Sequence, residues 1–174
     1  MSFKDNRTFI ETLAKTGDVV KITREVDWDL EAAAITGRSC EMSGPACFFE
    51  NLKDYPTGGR IFGAPIATYR RLAIAMGMDP DTATGSIFDE YERRVAKPVK
   101  PVVVKDGPCK ENKMFGDDVD LYEFPVPTVH EGDGGRYMGT WHCVITKDFD
   151  SGWTNWGMHR LMLYNRRMIC GYFP

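Results

Sequence analysis

The segment Lys97-Pro98-Val99-Lys100-Pro101 constrains the architecture more than any other part of the chain. Each proline fixes φ and steers the residue before it away from the helical region, so these five residues form a stiff, extended linker. The pattern changes across it. Residues 1–100 read as alternating helices and strands, and residues 101–174 as short strands separated by turns. The expectation is an α+β chain, with an N-terminal α/β unit followed by the start of a small barrel or sandwich.

Within the first unit, Asn6 to Gly17 reads as a helix. Asp5 or Asn6 caps it, Phe9, Ile10 and Leu13 form its apolar stripe, and Gly17 ends it. A strand is expected over Val19 to Val26, and a second helix from a cap at Asp29 through Met42. Ser43-Gly44-Pro45 breaks the chain before a buried strand at Ala46 to Glu50, and Gly58-Gly59 turns into another at Arg60 to Ala64. Helices follow over Tyr69 to Gly77, with Leu72, Ala73 and Met76 inward, and over Ser86 to Ala96, carrying Ile87, Tyr91 and Val95.

In the second unit the strand candidates are Val102 to Lys105, Gly139 to Lys147, Asn155 to Tyr164 and Met168 to Phe173. Asp106-Gly-Pro108, Asp133-Gly-Gly135 and Asp150-Ser-Gly152 supply the turns. Four strands are too few to close a barrel, so this unit reads as unfinished.

Composition narrows the function classes. The chain has 22 basic and 25 acidic residues, a net charge of −3, and like charges occur only in pairs such as Arg166-Arg167. That is no nucleic-acid footprint and no polybasic membrane patch. No apolar run approaches the ~18 residues of a membrane span. The five cysteines, odd in number and never spaced Cys-x-x-Cys, read for the most part as reduced core thiols of a cytoplasmic protein.

The densest cluster of functional residue types is Trp153-Thr-Asn-Trp-Gly-Met-His-Arg160. On a regular strand Asn155, Gly157, His159 and Leu161 share one face and Arg160 takes the other, so one ligand reaches both Asn155 and Arg160 only if the strand is irregular. A bulge or twist at Gly157 is the expected device. Trp141, Trp153 and Trp156 around it suit a planar ligand, although tryptophans on strands are also ordinary core. The three histidines, His130, His142 and His159, have no Asp or Glu at metal-ligand spacing and read as a loop residue and two half-buried strand residues. Asp117-Asp-Val-Asp120 lacks the glycine and distal glutamate of a calcium loop and reads as a solvated turn. Gly132-Asp-Gly-Gly135 lacks the following Lys or Ser of a phosphate loop and reads as a turn.

Taken with Gly135-Arg-Tyr-Met-Gly-Thr140, the Trp153–Arg160 run resembles the UbiD family of reversible decarboxylases that use prenylated flavin mononucleotide (FMN). Further similarity lies in Arg71-Leu-Ala-Ile-Ala-Met-Gly77, Pro101-Val-Val-Val, Gly107-Pro-Cys-Lys-Glu111 and Asp117-Asp-Val-Asp-Leu121 followed by Pro125-Val-Pro127. The resemblance implies an N-terminal α/β unit, then the opening strands of a split barrel like that of flavin reductases. A C-terminal oligomerising domain would lie outside this chain. Asn155 then matches a side-chain oxygen ligand of the manganese or magnesium ion that bridges to the cofactor phosphate. Trp153 matches a backbone carbonyl that some members use for potassium. Met158, His159 and Arg160 fall on the segment along the flavin, with Thr140 a hydroxyl contact to it. Arg160 resembles the catalytic arginine that holds the substrate carboxylate. His159 departs from the tyrosine or alanine often found there. The implied reaction is loss of carbon dioxide from an aromatic or α,β-unsaturated carboxylic acid. The family's later metal-binding histidine and its metal-binding and catalytic glutamates lie past Pro174. This stretch alone is therefore expected to be inactive, either a fragment or one subunit of a split enzyme, assembling as a homo-oligomer or with a complementary subunit. The competing expectations are a non-catalytic flavin-binding module and a structural subunit.

Overall fold

The computed structural model describes residues 3–173. Helix α1 (Asn6–Thr16) is closed at both ends by its own sequence. The Asp5 carboxylate accepts from the Thr8 N–H at 2.9 Å in a reciprocal capping box, and Gly17 ends the helix at φ 75°. Strands β1 (Val19–Ile22), β2 (Ala46–Phe49) and β3 (Ile61–Gly63) form a sheet in that order, β1 parallel and β3 antiparallel to β2.

Both faces of β2 are covered, which is why its four apolar residues run without a break. Ala46 faces Phe9 and Leu13 of α1 and Ile74 of α3 (Tyr69–Ala75). Cys47 and Phe49 face Ala32 of α2 (Glu31–Glu41), together with Val26 and Leu52. The sheet therefore lies between α1 and α3 on one side and α2 on the other. Fully burying a residue such as Phe49 or Leu13 contributes about 1.5–3 kcal/mol, and together these positions hold the three layers.

Several local expectations change. β1 stops at Ile22, and Val26 makes only an isolated bridge to Leu52. The cap position of α2 is Leu30, at φ 64° with no side-chain cap, rather than Asp29. Its N–H donates to the Thr128 carbonyl at 3.2 Å, so a tertiary contact sets the helix start. In α3 the buried residues are Arg71, Ala73 and Ile74, with Leu72 and Met76 only half-buried. In α4 (Thr84–Val95) Ile87 alone is buried, while Tyr91 and Val95 face solvent.

Beyond the linker, Val102 to Lys105 is exposed, unpaired chain rather than a strand. Residues 120–137 pack back onto the first unit through Arg136. Its Nε donates to the Val126 carbonyl and its Nη2 to the Tyr55 hydroxyl, both at 2.6 Å, and its guanidinium lies 3.9 Å over Trp28. The Asp117–Asp120 turn is tied down as well. Asp120 pairs with Arg166 at 3.3 Å, Asp117 with Arg167 at 2.5 Å, and the Leu121 N–H donates to the Arg166 carbonyl at 2.8 Å.

Five strands follow: β4 (Tyr137–Gly139), β5 (Cys143–Lys147), β6 (Thr154–Met158), β7 (Leu161–Asn165) and β8 (Met168–Gly171). They form an antiparallel sheet in the order β4-β7-β8 and a separate β5-β6 hairpin. The expected strands Gly139 to Lys147 and Asn155 to Tyr164 are thus each broken in two, their halves in different sheets. The chain is α+β, as its patterning implies. No helix of the described residues is long and apolar enough to cross a membrane.

Candidate functional site at a double strand crossing

The two breaks lie side by side. Gly139, the last residue of β4, pairs with Leu161, the first of β7, after a register irregularity between Tyr137 and Gly139, so Thr140 and Arg160 are the next residues along the two chain segments. Cys143, the first residue of β5, pairs with Met158, the last of β6, so His142 and His159 are the residues that adjoin that end of the hairpin. Both chain segments therefore pass from one sheet to the other at the same place. Thr140, His142, His159 and Arg160 collect at that crossing.

Two glycines make room for it. A Cβ on Gly139 would lie 1.9 Å from His142 Cε1, so the imidazole occupies the space of the missing side chain. A Cβ on Gly157 would lie 2.5 Å from His159 Nε2 and 3.2 Å from Asn155 Nδ2. Asn155, Gly157 and His159 do share a face, as the alternation implies. The irregularity, however, falls at His159–Arg160 and not at Gly157, which pairs regularly with Val144. A bulge is unnecessary because the chain changes sheets two residues later. His159 also packs against Phe173, ring centroids 4.7 Å apart.

The other expected site residues are spread around this centre. Asn155 lies half-buried within β6 opposite Thr146. Met158 ends β6 on the opposite hairpin face, beside Trp156 and Ile145, all three exposed. Trp153 sits before β6 at the far end of the hairpin, and its carbonyl already accepts from the Asp148 N–H at 2.8 Å. The turn there is locked by the Asp148 carboxylate, whose pKa is held down first by the Ser151 hydroxyl and then by the Ser151 N–H. Thr140 and Arg160 are exposed, and no ion pair or side-chain hydrogen bond engages Arg160 among the described residues.

His142 is the residue that strand patterning misplaces. It is half-buried as expected, but lies between strands, and both ring nitrogens are shielded from solvent with no hydrogen-bond partner among the described residues. The spacing Gly139-Thr-Trp-His142 beside Gly157-Met-His159 is the signal: each glycine precedes the imidazole that fills its vacancy.

Trp141, Trp153, Trp156, Met158, Tyr164 and Tyr172 all expose more than half of their surface. The metal expectation fits less well. Asn155 supplies one neutral oxygen, and among the described residues no group of three His, Cys, Asp or Glu side chains gathers to hold an ion. A hard divalent cation needs about six oxygen ligands, so these residues do not make a metal site by themselves.

Comparison with known proteins agrees with the architecture. Residues 10–91 match the 3-octaprenyl-4-hydroxybenzoate carboxy-lyase N-terminal domain, and residues 100–173 match the Rift-related domain of the same enzyme family. Pyrrole-2-carboxylic acid decarboxylase from Pseudomonas aeruginosa is 37% identical over 96% of this chain, which spans 35% of that protein. The vanillic acid decarboxylase of Sedimentibacter hydroxybenzoicus, solved in an open form, superposes with a TM-score of 0.88 at 30% identity, covering 98% of this chain and 38% of that one. A UbiD-class enzyme from Pelotomaculum thermopropionicum, solved with prFMN, shares the fold at 24% identity with a TM-score of 0.82, covering 97% of this chain and 38% of that one. The chain spans little more than a third of these relatives, and it belongs to the UbiD family, of which it represents the N-terminal portion.

Proposed function

We propose that the protein containing this chain is a cytoplasmic UbiD-type decarboxylase. It would act reversibly on an aromatic or α,β-unsaturated carboxylic acid using prenylated FMN, with this chain supplying part of the cofactor site. The observation that carries the reading is the double crossing, which gathers Thr140, His142, His159 and Arg160 beside exposed tryptophans in a chain related to decarboxylases.

Each residue has a task its chemistry suits. Trp156 and Met158 offer an apolar surface to a planar ring, and Thr140 offers a hydroxyl to a polar edge of the flavin. His159, pinned between Gly157 and Phe173, holds the strand junction that aims Arg160. The Arg160 guanidinium presents a planar fork that would hold a carboxylate in one orientation and so position the bond to be broken. Prenylated FMN, when bound, supplies the electron sink. Asn155 would contribute one oxygen to a manganese or magnesium ion, and the Trp153 carbonyl, which accepts from the Asp148 N–H, would add one to potassium. The remaining ligands and the proton donor come from outside these 174 residues, from a C-terminal domain or a complementary subunit in a homo- or hetero-oligomer.

The test uses the intact protein loaded with cofactor. Arg160→Lys is expected to lower kcat/KM by about a hundredfold or more, since a positioned fork contributes several kcal/mol at a transition state, while bound flavin stays unchanged. Asn155→Ala is expected to release flavin and make the remainder insensitive to chelator. Full activity in Arg160→Lys, or unchanged metal and flavin content in Asn155→Ala, would overturn the assignment.

A further inference from the structure

Away from the crossing, a cleft of about 750 Å³ opens in the N-terminal unit between Asp18, the Ser43–Pro45 turn and residues 66–72. Arg71 lines it and is only 2% exposed. Its Nη1 donates to the Gly44 carbonyl at 2.7 Å, but Nε and Nη2 have no partner among the described residues. Those two N–H groups form the side-on edge of a guanidinium, where two parallel donors match both oxygens of a carboxylate or phosphate.

The neighbouring acids are committed elsewhere. Both Asp18 oxygens accept from Arg70 Nε, at 3.0 and 3.1 Å, and Asp81 accepts from Arg70 Nη1 at 2.6 Å. Cys47 is no counter-ion, because burial pushes its thiol pKa up and keeps it neutral. Arg71 is thus a desolvated cation without an anion at bonding distance among the described residues. Proteins seldom leave a buried charge so, given the cost of withdrawing it from water.

We propose that this cleft binds a small oxyanion, a carboxylate or phosphate group, held in bidentate fashion by Arg71 Nε and Nη2. The site is separate from the strand crossing and does not depend on the decarboxylase reading. Both donors are closed off from solvent, so the lining residues must shift to admit the anion.

The test is a titration of the intact protein, with ¹⁵N-labelled arginine side chains, against inorganic phosphate and, separately, acetate. Ionic strength is held constant with chloride. One Nε–H resonance, identified by its loss in Arg71→Lys, should shift saturably with a midpoint in the millimolar range, as one bidentate pair allows. The Arg71→Lys protein should bind at least about tenfold more weakly, having lost the fork. Should that variant fail to fold, crystals of the unaltered protein soaked in selenate give the same answer through anomalous density at the Arg71 edge. A resonance that follows ionic strength alone overturns the proposal. So does density showing only water, or a protein carboxylate, on Nε and Nη2.

Discussion

Gly139→Ala tests the geometry of the crossing with a single methyl group. Gly139 is not among the glycines with positive φ, so the backbone permits alanine and any cost is steric. The new Cβ would lie 1.9 Å from His142 Cε1, 2.2 Å from Nδ1 and 2.7 Å from Nε2, so the ring must leave. Overpacking of this kind costs about 1–3 kcal/mol, and a ring that can swing away brings the value to about 2. His142→Ala alone should cost less, about 0–1 kcal/mol, because lost packing is offset by removal of two buried, unpartnered nitrogens. In the double variant the methyl meets empty space, and the cost should fall to that of His142→Ala. The expected coupling is therefore about 2 kcal/mol, read from urea-unfolding midpoints of the intact protein and its three variants. Additivity within about 0.5 kcal/mol would show that the imidazole does not sit over Gly139, and the crossing would have to be redrawn.

Three further expectations are independent of that cycle. Arg136→Ala should destabilise by about 3 kcal/mol in the same unfolding assay, since it strips charged hydrogen bonds from Val126 and Tyr55 and a stacked cation from Trp28; a loss below about 1 kcal/mol would contradict the bridging role. Gly157→Ala should dislodge His159, whose Nε2 lies 2.5 Å from the added Cβ, and reduce retained flavin on gel filtration without changing the linker's protease sensitivity. Glu90 has its pKa lowered from 4.5 to about 2 by hydrogen bonds from Arg93 and then Arg94. A carboxylate with a depressed folded-state pKa stabilises above its unfolded value, and the contribution disappears as pH falls from 4.5 toward 2. Glu90→Gln should therefore flatten the acid limb of thermal stability in that window, and an unchanged limb would refute the pairing.

Much of the N-terminal unit was legible because its determinants are local. Asp5, Thr8 and Gly17 close α1 within one turn of its ends, and Ala46 to Phe49 announce a strand covered on both faces. Where a distant residue intervenes, local patterning misleads. Leu30 begins α2 because Thr128 holds its N–H, and Tyr91 and Val95 continue an apolar stripe that faces solvent. The cluster from Asn155 to Arg160 is visible as residue types, but local patterning points to Gly157 as the place for the strand to bend, whereas Gly157 pairs regularly and the break follows Met158.

By itself the sequence determined the helix ends, the linker, the alternating faces of β6 and the family of the chain, since each is written in neighbouring residues or in ordered motifs. The tertiary structure alone decided that two apparently continuous strands each change sheets, at points opposite one another. A strand's hydrogen bonds run to other strands, and its partner can change without any mark in its own alternation. The placing of Thr140, His142, His159 and Arg160 between the two sheets follows from that exchange of partners, and tertiary packing likewise decided that one Arg71 edge is buried without a polar partner among the described residues.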